Sequence, residues 1–338
     1  MEQLRGKNLT DIEGIVKGLN LPSYTSSQIA QWLYGKFATD IDEMTNISRQ
    51  NRDLLKSRFV VGRQEPVKER ISVDGTKKYL FPAGKGRFIE AALIPDRERH
   101  TLCVSSQVGC KRGCLFCATG RQGLQGQLSS GEIINQVLSL PERDKLDNLV
   151  FMGMGEPLDN LEAVLKSIEI MTAPWGLGWS PRRITLSTVG IIPAMKSFLE
   201  KSQCNLAISL NSPFENERLA LMPVEKQYPL KQITAILRSI DTSRQRRISF
   251  EYIVFKGWND SRQHINELAR LLNGLRCRIN LIGFHKIEGL DYESPSMADM
   301  EKFMLSLNEK GIRTTIRASR GQDIEAACGL LSTKHLTY

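Results

Sequence analysis

From about Arg97 onward, strand-like apolar runs alternate with segments of helical spacing, and this alternation narrows the choice of fold more than any other feature of the chain. The strand candidates are LCVSSQV, NLVFMG, RITLST, NLAISL, ISFEYIV, RINLIG and RTTIR. Helices are expected from Ser129, Asp159, Ile192, Asp260 and Ser296, with helical segments after NLAISL and a last short helix near Asp323. Strands separated by helices pair in parallel, because the chain must cross back to the same end before the next strand begins. Six or seven such units are too few to close an eightfold barrel. The expected fold is therefore α/β, a partial, open parallel barrel with its chemistry at the carboxyl ends of the strands.

The part before the barrel reads differently. Ile12, Ile15 and Leu19, then Ile29, Trp32 and Leu33 behind Ser26 and Ser27, follow a period of about 3.6 and predict short helices. From Arg70 the pattern changes to ISV, the turn signal Asp74-Gly75, KKYLFP and, beyond Gly84 and Gly86, RFIEAALIP, which predicts a β-hairpin. The expected organisation is a helical accessory domain over 1–60, a hairpin connector over 61–95, and a barrel over 96–338 that ends in a cysteine-bearing loop. No run approaches the ~18 apolar residues of a membrane span, and MEQLRGKNLTDIEG lacks a signal-peptide core, so a cytoplasmic protein is expected. The seven cysteines, an odd number, fit reduced thiols in such a compartment.

Charge points to a polyanionic partner. Residues 52–87 carry ten Lys or Arg against four acids, a net +6 within an overall +9. Lys111, Arg112 and Arg121, with Arg313, Arg317 and Arg320, are further candidates for a phosphate-binding surface, although runs of charge are also ordinary solvated faces.

Three cysteines are bunched as Cys110-Lys-Arg-Gly-Cys114-Leu-Phe-Cys117, just after the first barrel strand. Three thiolates suit three irons of a cubane iron–sulfur cluster and leave the fourth iron without a protein ligand, free to bind a substrate. Phe116, immediately before the last cysteine, favours that reading. Structural zinc would need a fourth ligand, Cys103 or His100, and a closed four-thiolate cluster would need Cys103. After NLVFMG comes Gly153-Met154-Gly155-Glu156-Pro157, where glycines permit close backbone approach and Glu156 can accept an ammonium group. Alone it is equally a simple turn, and the third glycine of a dinucleotide fingerprint is missing. Strand alternation through Cys103-Val-Ser105-Ser-Gln107 sets Cys103, Ser105 and Gln107 on one face.

The cysteine spacing resembles that of radical S-adenosylmethionine (SAM) enzymes, which chelate the methionyl group of SAM on the open iron and cleave it to a 5′-deoxyadenosyl radical. The longer strings CVSSQVGCKRGCLFCATGRQGL, GMGEPLDN, ITLSTVGIIP, AISLNSP and DIEAACG, with SSQIAQWLYGK, DIDEMTNIS and VDGTKKYLF, are similar to the RlmN/Cfr family of radical SAM RNA (adenine) methyltransferases. The likeness covers nearly the whole chain. It implies methylation of carbon 2 of an adenosine in 23S rRNA near the peptidyl-transferase centre, and of an adenosine beside the anticodon of some tRNAs. Implied cofactors are a 4Fe–4S cluster and two molecules of SAM per turnover, with an electron donor such as flavodoxin or ferredoxin.

The likeness also assigns residues. Cys110, Cys114 and Cys117 would bind iron, and Gly155, Glu156, Ser187, Ser209, Leu210 and Asn211 would hold SAM. Carbon 2 of adenine is electron-poor and will not attack a sulfonium methyl, so the family loads the methyl on a protein thiolate first. Cys328 matches that methyl carrier, Cys103 the thiol that resolves the protein–RNA adduct, and Glu90 a general base. As bare residues, Cys328 and Cys103 are equally small buried cysteines, Glu90 an exposed strand carboxylate, and the serines helix caps. One position departs: INLIGFHKIEG sets His285 where the family usually has an asparagine contact to SAM. The alternatives are a Cfr-type enzyme methylating carbon 8 and conferring antibiotic resistance, from which TIRASRG leans away, and a non-catalytic iron–sulfur or zinc protein that binds nucleic acid.

Overall fold

The computed structural model describes residues 1–241, 248–287 and 289–333. Its centre is a ten-stranded sheet whose strands lie side by side in chain order. They are β1 (Lys68–Ile71), β2 (Lys77–Pro82), β3 (Phe88–Asp96), β4 (Arg99–Cys103), β5 (Leu146–Phe151), β6 (Ile184–Thr188), β7 (Asn205–Ser209), β8 (Ile248–Val254), β9 (Cys277–Gly283) and β10 (Thr314–Arg317). β1 to β4 pair antiparallel, and β4 to β10 pair parallel. β4 thus closes the meander and opens the parallel array. β1 and β10 do not pair with each other, so the barrel is open, as the number of units predicts.

Before the sheet come α1 (Leu9–Gly18), α2 (Thr25–Ala30) and α3 (Arg49–Lys56); between parallel strands run α4 (Ser130–Leu138), α5 (Leu161–Thr172), α6 (Ile192–Lys201), α7 (Leu230–Ser239), α8 (Arg262–Leu272) and α9 (Met297–Glu309). Local chemistry starts several of them. Ser129 Oγ accepts from Glu132 N at 3.2 Å while Ser129 N donates to Glu132 at 2.8 Å, and Ser296 and Asp299 repeat the box on α9. β7 has Leu206, Ala207 and Ile208 fully buried in succession, as a strand covered on both faces requires.

The first helices pack on the outside of the array. Arg5 bonds Asn135 of α4, Asn8 Nδ2 donates to Glu169 of α5 at 2.9 Å, and Lys166 pairs with Asp11 at 2.8 Å. Leu4, Ile12, Ile29 and Leu33 join the same apolar core as the barrel strands, so burial there does not stop at residue 60.

Two expected elements differ. LCVSSQV is not one strand: β4 ends at Cys103, and Gln107–Val108 pairs instead with Gly126–Gln127. Side chains capture the backbone between them, since Ser105 N donates to Gln136 Oε1 at 2.8 Å and Ser105 Oγ donates to Glu90 O at 2.6 Å. The common face through Cys103, Ser105 and Gln107 is lost with the strand. Near Asp323 there is no helix but a run of turns, because Gly321, Glu325 and Gly329 adopt φ of +65°, +56° and +84° within nine residues. Among the described residues no helix is long and apolar enough to cross a membrane.

Candidate functional site

The cysteine loop leaves the carboxyl end of β4 and returns through the short helix Ala118–Gln122. Gly109 and Gly113 make its left-handed turns, and a Cβ on Gly109 would stand 1.8 Å from Gly123 O. Cys110 N donates to Gly123 O at 3.2 Å and Leu115 N to Leu221 O at 3.0 Å, which fix the loop at both edges. Cys110 and Cys114 are buried and Cys117 is half-buried. Burial pushes the Cys110 thiol up to about 12; it raises Cys114 and Cys117 as well, and at Cys114 the neighbouring cysteines add to it. Such thiols ionise only beside a compensating positive charge.

The donor set suits an iron–sulfur cluster. Among the described residues no three His, Cys, Asp or Glu side chains converge as they would on a single metal ion. Around a cubane each thiolate takes a different iron, so the sulfurs stand further apart than in a mononuclear site. N–H donors of the kind that tune cluster thiolates are present: Arg112 N reaches Cys110 Sγ at 3.5 Å, and Thr119 and Gly120 donate to Cys117. The fourth ligands considered for zinc lie elsewhere. His100 pairs with Leu146, the first residue of β5, at the opposite end of the strands. Cys103 packs in a separate small apolar cluster with Ala92, Val150, Ile324 and Ala326.

Beside the loop opens a cavity of about 150 Å³, between the carboxyl ends of β5 to β9. Cys110, Cys114, Cys117, Gly155, Glu156, Ser187, Ser209, Asn211 and Cys328 all line it. Gly155 has φ +102°, and a Cβ there would lie 2.6 Å from Gln107 Cβ, so no other residue fits. The Glu156 carboxylate is 3% exposed and accepts from Leu158 N at 3.0 Å, Thr188 Oγ1 at 2.7 Å and Val189 N at 2.9 Å. Burial outweighs these donors and pushes its carboxyl up to about 7. Asn211, in the left-handed region at φ +59°, bridges strand ends by accepting from Ile253 N at 2.9 Å.

Two of the sequence candidates for SAM do not reach this cavity. Leu210 is fully buried, and its N–H donates to Glu251 O at 2.9 Å. His285 follows β9, with Nε2 bonded to Ser319 Oγ at 3.2 Å; burial lowers its pKa.

Cys328 lies 211 residues beyond Cys117 (328 minus 117), yet both line the cavity. The residues after each are stitched together: Ala118 N donates to Gly329 O at 2.7 Å, Thr119 Oγ1 to Leu331 O at 2.6 Å, and Thr333 N to Gln122 Oε1 at 3.1 Å. Gly329 crosses so closely that a Cβ would meet Phe116 O at 2.8 Å. Cys328 is exposed, whereas Cys103 is buried and its thiol is pushed up to about 12, first by burial and then by the neighbouring Cys328. Glu90 does not line the cavity; it is 4% exposed, paired with Lys78 at 3.0 Å and accepting from Ser332 N at 2.9 Å. Burial raises its pKa even against that lysine.

Sequence reasoning missed Glu251, whose carboxylate lines the cavity and accepts from Asn280 Nδ2 at 2.7 Å. The signal was the single charged residue in the middle of the strand ISFEYIV. Two arginines expected on a phosphate-binding surface are turned to acids instead: Arg317 faces Glu251 at 3.4 Å, and Arg112 grips Asp159 through Nε and Nη2.

Comparison with known proteins adds to this geometry. Residues 104–272 match the radical SAM superfamily, and residues 3–61 match the ribosomal RNA large subunit methyltransferase N-terminal domain. A Bacteroides fragilis protein named probable dual-specificity RNA methyltransferase RlmN is 54% identical over 330 residues, 98% of this chain and 96% of that one. A Syntrophus aciditrophicus protein named dual-specificity RNA methyltransferase RlmN is 42% identical over 98% of this chain and 97% of its own length. The crystal structure of a radical SAM methyltransferase from Sphaerobacter thermophilus superposes with a TM-score of 0.91 at 38% identity, covering 98% of this chain and 99% of that one.

Proposed function

Because the chain belongs to the RlmN family of radical SAM RNA methyltransferases, we propose that it methylates carbon 2 of an adenosine in 23S rRNA and of an adenosine beside the anticodon of some tRNAs, by way of a methyl group carried on Cys328. The relatives described above bear the RlmN name, which favours carbon 2 over the carbon 8 of the Cfr-type alternative. The reading rests on one observation: Cys328 shares a cavity with Cys110, Cys114, Cys117 and Glu156.

Cys110, Cys114 and Cys117 would hold the 4Fe–4S cluster, and Glu156 would receive the ammonium of SAM. When bound, cluster and SAM supply an electrophilic methyl group and, on one-electron reduction, a radical able to abstract hydrogen. Cys328, exposed at the cavity, is the thiol that takes the methyl by displacement at carbon, losing its proton. Glu90, its pKa raised by burial, would serve as the general base toward carbon 2, although it does not line the cavity and is held by Lys78 and Ser332 N, so it would have to be freed from them to take that proton. Once the carbon carried on Cys328 has lost one hydrogen and bonded carbon 2, Cys103, giving up its proton, attacks the Cys328 sulfur. The sulfur–carbon bond breaks, the freed carbon takes a proton to become the RNA methyl group, and the disulfide left between the two cysteines must be returned to thiols by an external thiol reductant. The target base must leave its stack to enter, which suits unpaired or deformable RNA. An electron donor such as flavodoxin or ferredoxin would supply the reducing equivalents, and an enzyme of ribosomal and transfer RNA works in the cytoplasm.

The direct test is incubation of the reduced, iron-loaded protein with methyl-labelled SAM and ribosomal RNA fragments. Label at carbon 2 of one adenosine is expected; label at carbon 8, or none in RNA, would overturn the reading.

Glu156 adds a pH signature. Its carboxyl, raised to about 7, is neutral below that pH and must lose a proton before it can receive a cation. SAM affinity is therefore expected to drop about tenfold for each pH unit below 7 and to level off above it. In Glu156→Gln the slope should vanish and binding should weaken throughout. Equilibrium dialysis between about pH 6 and pH 8 checks this, and a flat wild-type profile would speak against the assignment.

A further inference from the structure

The hairpin motif VDGTKKY takes no part in the steps above, yet its residues grip the loop that bears Cys328. Gly321 N donates to Asp74 Oδ2 at 2.8 Å. In the other direction, Ser72 Oγ donates to Asp323 Oδ1 at 2.5 Å and Val73 N to Asp323 Oδ2 at 3.1 Å. Each aspartate thus accepts from the other's loop. Asp74 is itself fixed in its turn by Thr76 N at 2.9 Å, and Gly321, at φ +65°, passes so near that a Cβ would stand 2.8 Å from Thr76 Cγ2. Lys78 Nζ reaches Glu325 O at 3.4 Å and pairs with Glu90, whose other oxygen accepts from Ser332 N. Between these anchors Ile324 and Ala326 pack on Cys103.

The loop is therefore tied at its start, middle and end to one hairpin some 250 residues away in the chain. Burial would push Asp74 up, but the donors from Gly321, Thr76 and Ser72 hold it at about 2, which fits an ionised acceptor at any working pH. Hydrogen bonds to a charged acceptor are the stronger kind. A loop built of turns, with three residues in left-handed conformations, has no regular secondary structure to keep its shape.

We propose that the segment Ser72–Lys78 is a positioning device for the methyl-carrying thiol: Asp74 and Asp323 form a reciprocal latch, and Lys78 ties Glu90 to the same loop, so that Cys328 stays over the cavity and beside Cys103. Asp74, Lys78 and Asp323 are positioning residues and touch no substrate. The proposal rests on the reading of Cys328 as methyl carrier.

The test uses the full-length, iron-loaded protein with Asp323→Ala, Asp323→Asn and Asp74→Ala. Asparagine at 323 can still accept from Val73 N and donate to Ser72 Oγ, whereas alanine can do neither. In both alanine variants amide exchange over residues 321–333 should quicken about tenfold or more, and RNA methylation should slow by a similar factor, while reductive cleavage of SAM without RNA stays within about twofold. Asp323→Asn should restore both exchange and methylation. Wild-type exchange in Asp323→Ala, or a loosened loop with undiminished methylation, would overturn the latch. Asp323 sits on an exposed loop, so this variant remains informative even if Asp74→Ala folds poorly. If Cys328 of the wild-type protein never carries a methyl group by mass spectrometry, the underlying reading fails, a result that the exchange data keep separate from the latch itself.

Discussion

Cys328→Ala protein is expected to transfer no methyl group to RNA, a loss of at least about 10³-fold, the scale seen when a covalent nucleophile is removed. Cys110, Cys114 and Cys117, which share its cavity, would be committed to the cluster. Cys103 is its neighbour in the fold, but Cys103 is buried in an apolar cluster and its thiol is pushed up to about 12, so it is protonated near neutral pH. Cys103→Ala should behave differently. It should still load a methyl on Cys328 but leave RNA covalently attached, because the thiol that cleaves the adduct is gone. The cation of Arg317, which works to lower the Cys103 pKa, is consistent with a thiol that ionises only at that later step. Mass spectrometry of the Cys328 peptide and a denaturing gel for the RNA–protein adduct read the two outcomes. Wild-type turnover by either variant would contradict the two-thiol scheme.

The second large effect is expected from Cys114→Ala. Cys114 is buried beside Cys110 and Cys117, and Leu115 N is anchored on Leu221 O, so a missing ligand cannot be replaced by movement of the loop. The variant should fold, because burial keeps the Cys114 thiol neutral in the metal-free protein and the substitution removes only one small uncharged group. It should bind little iron, lack the visible absorption of an iron–sulfur chromophore and lose SAM cleavage by at least about 10³-fold. Cys204→Ala, at a buried cysteine in the bend that leads into β7, should keep its full iron content. Full iron and turnover in Cys114→Ala would place the cluster elsewhere.

Much of the architecture was legible because it follows from local periodicity. Alternating strands and helices gave seven parallel strands in an open array, and Ser129 and Ser296 cap α4 and α9 where the sequence suggests. What was hidden depends on contacts across hundreds of residues. Nothing local in LCVSSQV says that Gln136 and Glu90 will draw Ser105 out of the strand. The turns around Asp323 replaced an expected helix because Glu325, an ordinary helix former, takes φ +56° where the loop turns past Lys78. Arg317 read as surface charge and proved to face Glu251, since the sequence cannot show which side of a strand end meets an acid from its neighbour. The candidate site was legible through motif likeness, and the structure adds how distant pieces meet: the residues after Cys117 and after Cys328 bond one another directly.

The central claim is that three thiols hold a cluster with one iron left for SAM. Electron paramagnetic resonance of the anaerobically reconstituted, reduced protein, recorded before and after adding SAM, tests it most directly. A 4Fe–4S signal whose shape changes on addition of SAM, with the change lost in Glu156→Ala at the same SAM concentration, is the predicted result. A protein that takes up only zinc, or a cluster signal indifferent to SAM, would contradict it.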